Sequence, residues 1–168
     1  MEYVLLPVQP LTREAFAPYG DVIDTEGAQS FLINDGTTRR YHDLAAIDTL
    51  AEGGRPIVSI FRAISTAQLP LTIREVERHP LGSQAFIPLG DLPFLVVVAE
   101  EQPAGVPLKP AAFITNGRQG VNYRRGVWHH PLLAFHQGSD YLIVDRGGSG
   151  HNCDVVDLGC NYRIEAGT

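Results

Sequence analysis

The chain has 168 residues, 44% of them hydrophobic, and a formal net charge of −6. Those figures suit a packed domain and exclude a disordered chain, while the acidic balance argues against nucleic acid or an anionic membrane as the main partner. No apolar run approaches the roughly 20 residues that a bilayer span requires.

At the start, Met1-Glu2-Tyr3-Val4-Leu5-Leu6-Pro7 lacks a positive region followed by a long apolar one, so a cytoplasmic location is expected. Thr12 is an N-cap for the helix formers Arg13 to Ala17, and Pro18-Tyr19-Gly20 stops that helix after one or two turns. A second short helix is predicted over Asp43 to Leu50, ended by Gly53-Gly54. From there the pattern is one of strands: residues 57–63, 71–77, 85–87, 94–99, 111–114, 132–136 and 141–145 are rich in β-formers or alternate. Turn signals separate them, among them Pro80-Leu81-Gly82, Pro88-Leu89-Gly90-Asp91, Asn116-Gly117 and Arg146-Gly147-Gly148.

Strands at roughly ten-residue spacing without long helices predict an all-β fold, an antiparallel sandwich or barrel with a few short helices. One domain is expected over residues 1–158, with 159–168 as a weakly ordered tail. Glu100 to Pro110, holding three prolines, is predicted to be an exposed loop. The run from Phe94 to Ala99 is apolar on both faces, which predicts a central strand covered outside by a second subunit or by more of the same chain.

Twelve arginines stand against a single lysine, Lys109, which makes Schiff-base chemistry an unattractive reading. Cys153 and Cys160 have only His151 nearby, too few ligands for a zinc site, and are read as free thiols. The chemistry concentrates elsewhere. Glu75, Glu77 and His79 alternate and share one face of a strand, and Pro80-Leu81-Gly82 turns the chain toward Gln84, which a hairpin would bring back beside His79. About fifty residues later, Val127 and His129 share one face of a second segment, with Trp128 and His130 on the other and Pro131 ending it. His130 is read as structural.

A carboxylate and a histidine from one strand, an amide from the next and a second histidine from a later one resemble the outline of a cupin metal site. The match is partial, because Glu77 stands where the first histidine of a His-x-His would be and Gln84 where the acid would be. Imidazole and carboxylate suit a borderline divalent ion such as nickel, zinc, iron or manganese, so Glu77, His79, Gln84 and His129 are the candidate ligands.

Three longer motifs are distinctive: ERHPLGSQAFIPL (77–89), FITNGRQGVNYRRGVWHHPL (113–132) and DRGGS (145–149). They resemble the ureidoglycolate lyase family, with residues 40–43 and 15–21 fitting in order. The resemblance covers about residues 10 to 157. It implies a cytoplasmic, homodimeric, cupin-like β-barrel or jelly roll that splits ureidoglycolate into glyoxylate and urea in allantoin degradation, in purine nitrogen utilisation. It also implies a divalent requirement such as Ni²⁺, with no organic cofactor. That reaction needs no external nucleophile, in keeping with a chain that shows no nucleophile motif. His129 or His79 is the expected proton carrier, with Glu77 orienting or polarising an imidazole. Arg62, Arg78 and Arg124 are candidates for the substrate carboxylate, and Gln84 and Asn122 for the ureido group. Two rival readings are a non-enzymatic cupin-like module binding a small carboxylate, and another metal-dependent cupin enzyme.

Overall fold

The computed structural model describes residues 2–104 and 108–167; Met1, residues 105–107 of the expected loop and Thr168 of the expected tail lie outside the described residues. In chain order the first elements are β1 (Val4–Leu5), β2 (Val8–Pro10), α1 (Arg13–Phe16), β3 (Gly20–Ile23), β4 (Ser30–Ile33) and β5 (Thr38–Tyr41). Next come β6 (Arg55–Arg62), β7 (Leu71–Arg78), β8 (Gln84–Pro88), β9 (Phe94–Glu100) and β10 (Lys109–Ile114). The series closes with β11 (Gly120–Tyr123), β12 (Trp128–His129), β13 (Leu133–Ala134), β14 (Asp140–Gly147) and β15 (Asp154–Ile164).

The seven strands that the apolar alternation predicts are all present, and the architecture is all-β and cupin-like. Eight strands form one sheet in the order β1-β15-β7-β12-β9-β10-β2, with β13 also paired to β9. Five form a second sheet, β3-β11-β8-β14-β6, and β4 and β5 stand apart as a hairpin. Pairing is mostly antiparallel, but β1 runs parallel to β15 and β2 parallel to β10. Those two pairings belong to one stretch of chain. The N-terminal segment joins both edges of the larger sheet and curls it on itself.

This curl explains the doubly apolar strand β9. Phe94, Val96 and Val98 face the five-stranded sheet and pack with Val22, Phe86, Val121, Tyr123 and Ile143. Leu95, Val97 and Ala99 face the inside of the curl with Ile73, Val76, Trp128, Leu158 and Ile164. Both faces are covered within one chain, so β9 by itself calls for no second subunit.

Four expectations change. Residues 43–50 form no helix; Ala46 N–H donates to Asp21 Oδ2 and its carbonyl accepts from Asn122, while Asp48 exchanges hydrogen bonds with Ser83. Those side-chain bonds hold the backbone extended as a strap against the five-stranded sheet, and only a 3₁₀ turn at Ala51–Gly53 follows. The proline-rich loop is shorter than expected, because β9 runs to Glu100 and β10 starts at Lys109, which pairs with it. Residues 159–164 are no loose tail: Tyr162, Arg163 and Ile164 pair with Ile73, Thr72 and Leu71 beyond a register shift, and Ile164 is buried. Finally, β7 and β8 lie in different sheets, so Pro80 to Ser83 is a crossing between sheets rather than a hairpin turn.

Candidate active site

Glu77, near the end of β7, and His79, just past it, lie on the inward side, while Val76 packs into the curl and Arg78 lies over the Trp128 ring, 4.5 Å from its centroid. The strand β12 is set beside β7 by a turn at Gly126, whose φ of +77° suits glycine and whose N–H donates to His79 O at 2.9 Å. His129 then pairs in register with Glu77, and His130 N–H donates to Val97 O. Alternation along this two-residue strand sends Trp128 into the curl and His129 between the sheets.

Glu77, His79 and His129 therefore converge, with one ligand atom of each within 4.8 Å of the others. Glu77 Oε1 lies 3.7 Å from His129 Nε2 and 4.0 Å from His79 Nε2. Gln84, at the start of β8, reaches the group from the opposite sheet and places Oε1 3.2 Å from His79 Nε2. Four of the residues singled out by their spacing thus meet in space, though they come from three strands and two sheets.

The two imidazoles are held differently. His129 is 1% exposed and stacks on Tyr123, ring centroids 4.2 Å apart and planes within 10°. Its Nδ1–H donates to Val127 O at 2.9 Å, which leaves Nε2 buried, aprotic and without a hydrogen-bond partner. Burial drives its pKa down to about 3, and the neighbouring His79 and His130 push the same way against the raising effect of the Val127 bond. His129 is a neutral imidazole at any physiological pH. His79 sits nearer the surface, with Nδ1 2.8 Å from Asn152 O. Tyr123 is held above the ordinary phenol range by burial first and by Glu77 second.

The arrangement fits a cation. His79 Nε2, His129 Nε2, Glu77 Oε1 and Gln84 Oε1 all present lone pairs, and the buried orphan nitrogen of His129 is a ligand atom waiting for one.

The other expected site residues go elsewhere. Arg62 pairs with Asp140 at 2.7 Å, at the opposite end of β14 from the cluster, and Arg78 pairs with Asp154 at 2.9 Å. Arg124 reaches the carbonyls of Ala17 and Pro18. Asn122 is buried on the outer face of β11 and donates to Asp21 and Ala46, fastening the strap. Spacing did not single out Tyr123, Asn152, Cys153 or Asp145. Asp145 ends the inward alternation Tyr141, Ile143, Asp145 on β14, and its Oδ2 accepts from Gln84 Nε2 at 3.1 Å. A carboxylate closing an inward apolar alternation was the signal available. Cys153 Sγ lies 4.0 Å from Glu77 Oε2 at the edge of the site; burial, then Glu77 and Asp154, keep its thiol protonated.

Residues 4–165 match the family model described as ureidoglycolate lyase. The ureidoglycolate lyases of Pseudomonas paraeruginosa and Stutzerimonas stutzeri are each 60% identical over 149 residues, 89% of this chain and 88% and 87% of theirs. That of Pseudomonas aeruginosa strain LESB58 is 59% identical over the same length. A 3,4-ketoisomerase from Helicobacter canadensis aligns in structure over 77% of this chain and 84% of its own, at 13% identity and a TM-score of 0.37. On the family model and these relatives together, the chain belongs to the ureidoglycolate lyase family.

Proposed function

We propose that this protein cleaves ureidoglycolate to glyoxylate and urea, the step that frees urea in allantoin breakdown, at the cluster of Glu77, His79 and His129. What carries the reading is the convergence of those three side chains in a chain about 60% identical to ureidoglycolate lyases.

Ureidoglycolate has a hydroxyl, a carboxylate and the ureido nitrogen on one carbon. As the hydroxyl loses its proton, the O–H electron pair becomes the C=O bond of glyoxylate. The C–N pair leaves with the nitrogen, which takes up a proton to become urea. No electrons enter or leave, and water is not consumed. His129, with a pKa of about 3, is too weakly basic to carry the proton at neutral pH and serves as a fixed, neutral anchor. Glu77 is the base: its side chain is 26% exposed, and Oε2 points away from His129 toward the Cys153 edge. Because hydroxyl and nitrogen share one carbon, the same carboxylate can return the proton to the departing nitrogen, with His79 beside it as partner.

Glu77, His79 and His129, with Gln84 Oε1 next to them, would hold a divalent ion such as Ni²⁺, which when bound supplies the Lewis acidity that lowers the hydroxyl pKa. With Arg62, Arg78 and Arg124 engaged elsewhere, such an ion would also supply positive charge for the substrate carboxylate.

The protein pairs with a second copy of itself through the outer face of the five-stranded sheet. There the edge strand β6 leaves Val58 68% and Ile60 51% exposed. Among the described residues no helix is long and apolar enough to cross a membrane, and the free thiols Cys153 and Cys160 suit a reducing, cytoplasmic setting.

Incubating purified protein with ureidoglycolate, and assaying glyoxylate and urea in equal amounts, tests the activity. Binding without turnover would favour a carboxylate-binding module instead. Exhaustive chelation should remove most of the rate and Ni²⁺ should restore it.

A further inference from the structure

The two ends of the Gln84 amide face groups that ask for opposite things. Nε2 donates to Asp145 Oδ2 at 3.1 Å, while Oε1 sits 3.2 Å from His79 Nε2. His79 Nδ1 faces the Asn152 carbonyl at 2.8 Å, so a neutral ring keeps its proton there and turns the Nε2 lone pair on the amide oxygen. Two acceptors then meet. A half-turn of the amide would let Gln84 donate to His79 and remove the conflict. Asp145 forbids it, because a carboxylate only accepts and must face the NH₂ end.

Asp145 is placed for this by register. On β14, Val144 pairs with Ala85, so Asp145 lies beside Gln84, on the inward face shared with Ile143. Its other oxygen, Oδ1, is buried with no hydrogen-bond partner, an arrangement that costs stability rather than adding to it. Fold stability alone does not account for a carboxylate here.

We propose that Asp145 is a positioning residue that holds Gln84 Oε1, and not the amide nitrogen, against Glu77, His79 and His129, completing a ring of four acceptors for a divalent cation. The inference rests on the cluster's holding a cation, as argued above, and not on the identity of the substrate.

Asp145→Asn tests it with little change of shape. The new side chain can donate to Gln84 Oε1, so the amide is free to turn and donate to His79. In calorimetric titration of the metal-free full chain with Ni²⁺, this variant should bind roughly 10- to 100-fold more weakly than wild type, with its melting temperature little changed. In a Gln84→Ala background the same substitution should add less than about twofold, because no amide remains to be oriented. Adding Gln84→Glu to Asp145→Asn keeps the charge count and offers an oxygen to His79 in either orientation. That exchange should restore binding, and it serves as the second variant should the single one fold poorly. Unchanged Ni²⁺ affinity in Asp145→Asn, equal losses in both backgrounds, no rescue by the exchange, or no uptake by wild type would each overturn the proposal. A wild type that follows the binding pattern yet releases no glyoxylate defeats the lyase reading alone.

Discussion

On one face of β9, Phe94, Val96 and Val98 pack against the five-stranded sheet; on the other, Leu95, Val97 and Ala99 fill the curl of the eight-stranded sheet. Both cores are built of buried apolar side chains, and the first ends at the cluster of Glu77, His79 and His129. The curl is closed by a single stretch of N-terminal chain that pairs with both of its edges, and Arg78 lies over its Trp128 ring. The space between the two sheets is bounded instead by strands from separate sheets, and at one end β7, β8, β12 and β14 each contribute an inward polar residue. Neighbouring residues are sorted between the two cores by strand parity alone. Trp128 goes to the curl and His129 to the site; Val76 and Arg78 go one way, Glu77 and His79 the other.

The contrast predicts that damage on the two sides of the same strands will have different signatures. His129→Ala removes the buried anchor of the site, and glyoxylate release should fall by at least roughly 10- to 100-fold while the chain still unfolds cooperatively. A variant retaining full activity would take His129 out of the mechanism. Ile73→Ala empties part of the curl, where Ile73 is fully buried. Denaturant unfolding should show a loss of about 3 kcal/mol, with kcat and KM close to wild type. Should Ile73→Ala instead lower kcat in folded protein, the two cores would be coupled and the division drawn above would fail.

A third effect belongs to the site alone. Folding lowers the His129 pKa from 6.5 to about 3, so the unfolded chain binds a proton that the folded one refuses. Stability from this source is complete above about pH 6.5 and is lost as pH falls from there toward 3. In metal-free protein the slope should approach about 1.4 kcal/mol per pH unit within that window. Denaturant midpoints measured between pH 7 and pH 4 should fall more steeply for wild type than for His129→Gln. Parallel curves would mean that the imidazole is not held neutral by burial.

Much of this was legible in the chain because strands advertise themselves by alternation. Seven were predicted in place, and the Glu77-x-His79 spacing with His129 pointed to three side chains that converge in the fold. What stayed hidden depends on partners distant in sequence. Residues 43–50 have helix-compatible composition, but Asp21, Ser83 and Asn122 capture their backbone polar groups. The last residues lack a strong pattern because β15 pairs across a register shift, which breaks its alternation. Asn122 has the right chemistry for a ureido group but the wrong parity, since Val121 and Tyr123 take the inward face.

Arg62 gives the finest test of that parity argument. In sequence it ends an apolar strand and is one of three candidates, with Arg78 and Arg124, for the substrate carboxylate. In the fold, Phe61 and Tyr141 face one another on the inner side, so Arg62 and Asp140, one residue on in each register, share the outer side. Their guanidinium–carboxylate pair is bidentate, 2.7 and 2.8 Å, with the arginine side chain 66% exposed. Solvent screening leaves such a pair little influence on folding. Arg62→Ala should therefore leave KM for ureidoglycolate within about twofold of wild type and scarcely move the denaturant midpoint. A large rise in KM would place a surface arginine in the substrate's path, either by a rearranged β6 or by contribution from a second copy. Because β6 is also the exposed edge of its sheet, the KM should be measured at several protein concentrations: a dependence on concentration points to the second copy, and independence to the strand itself.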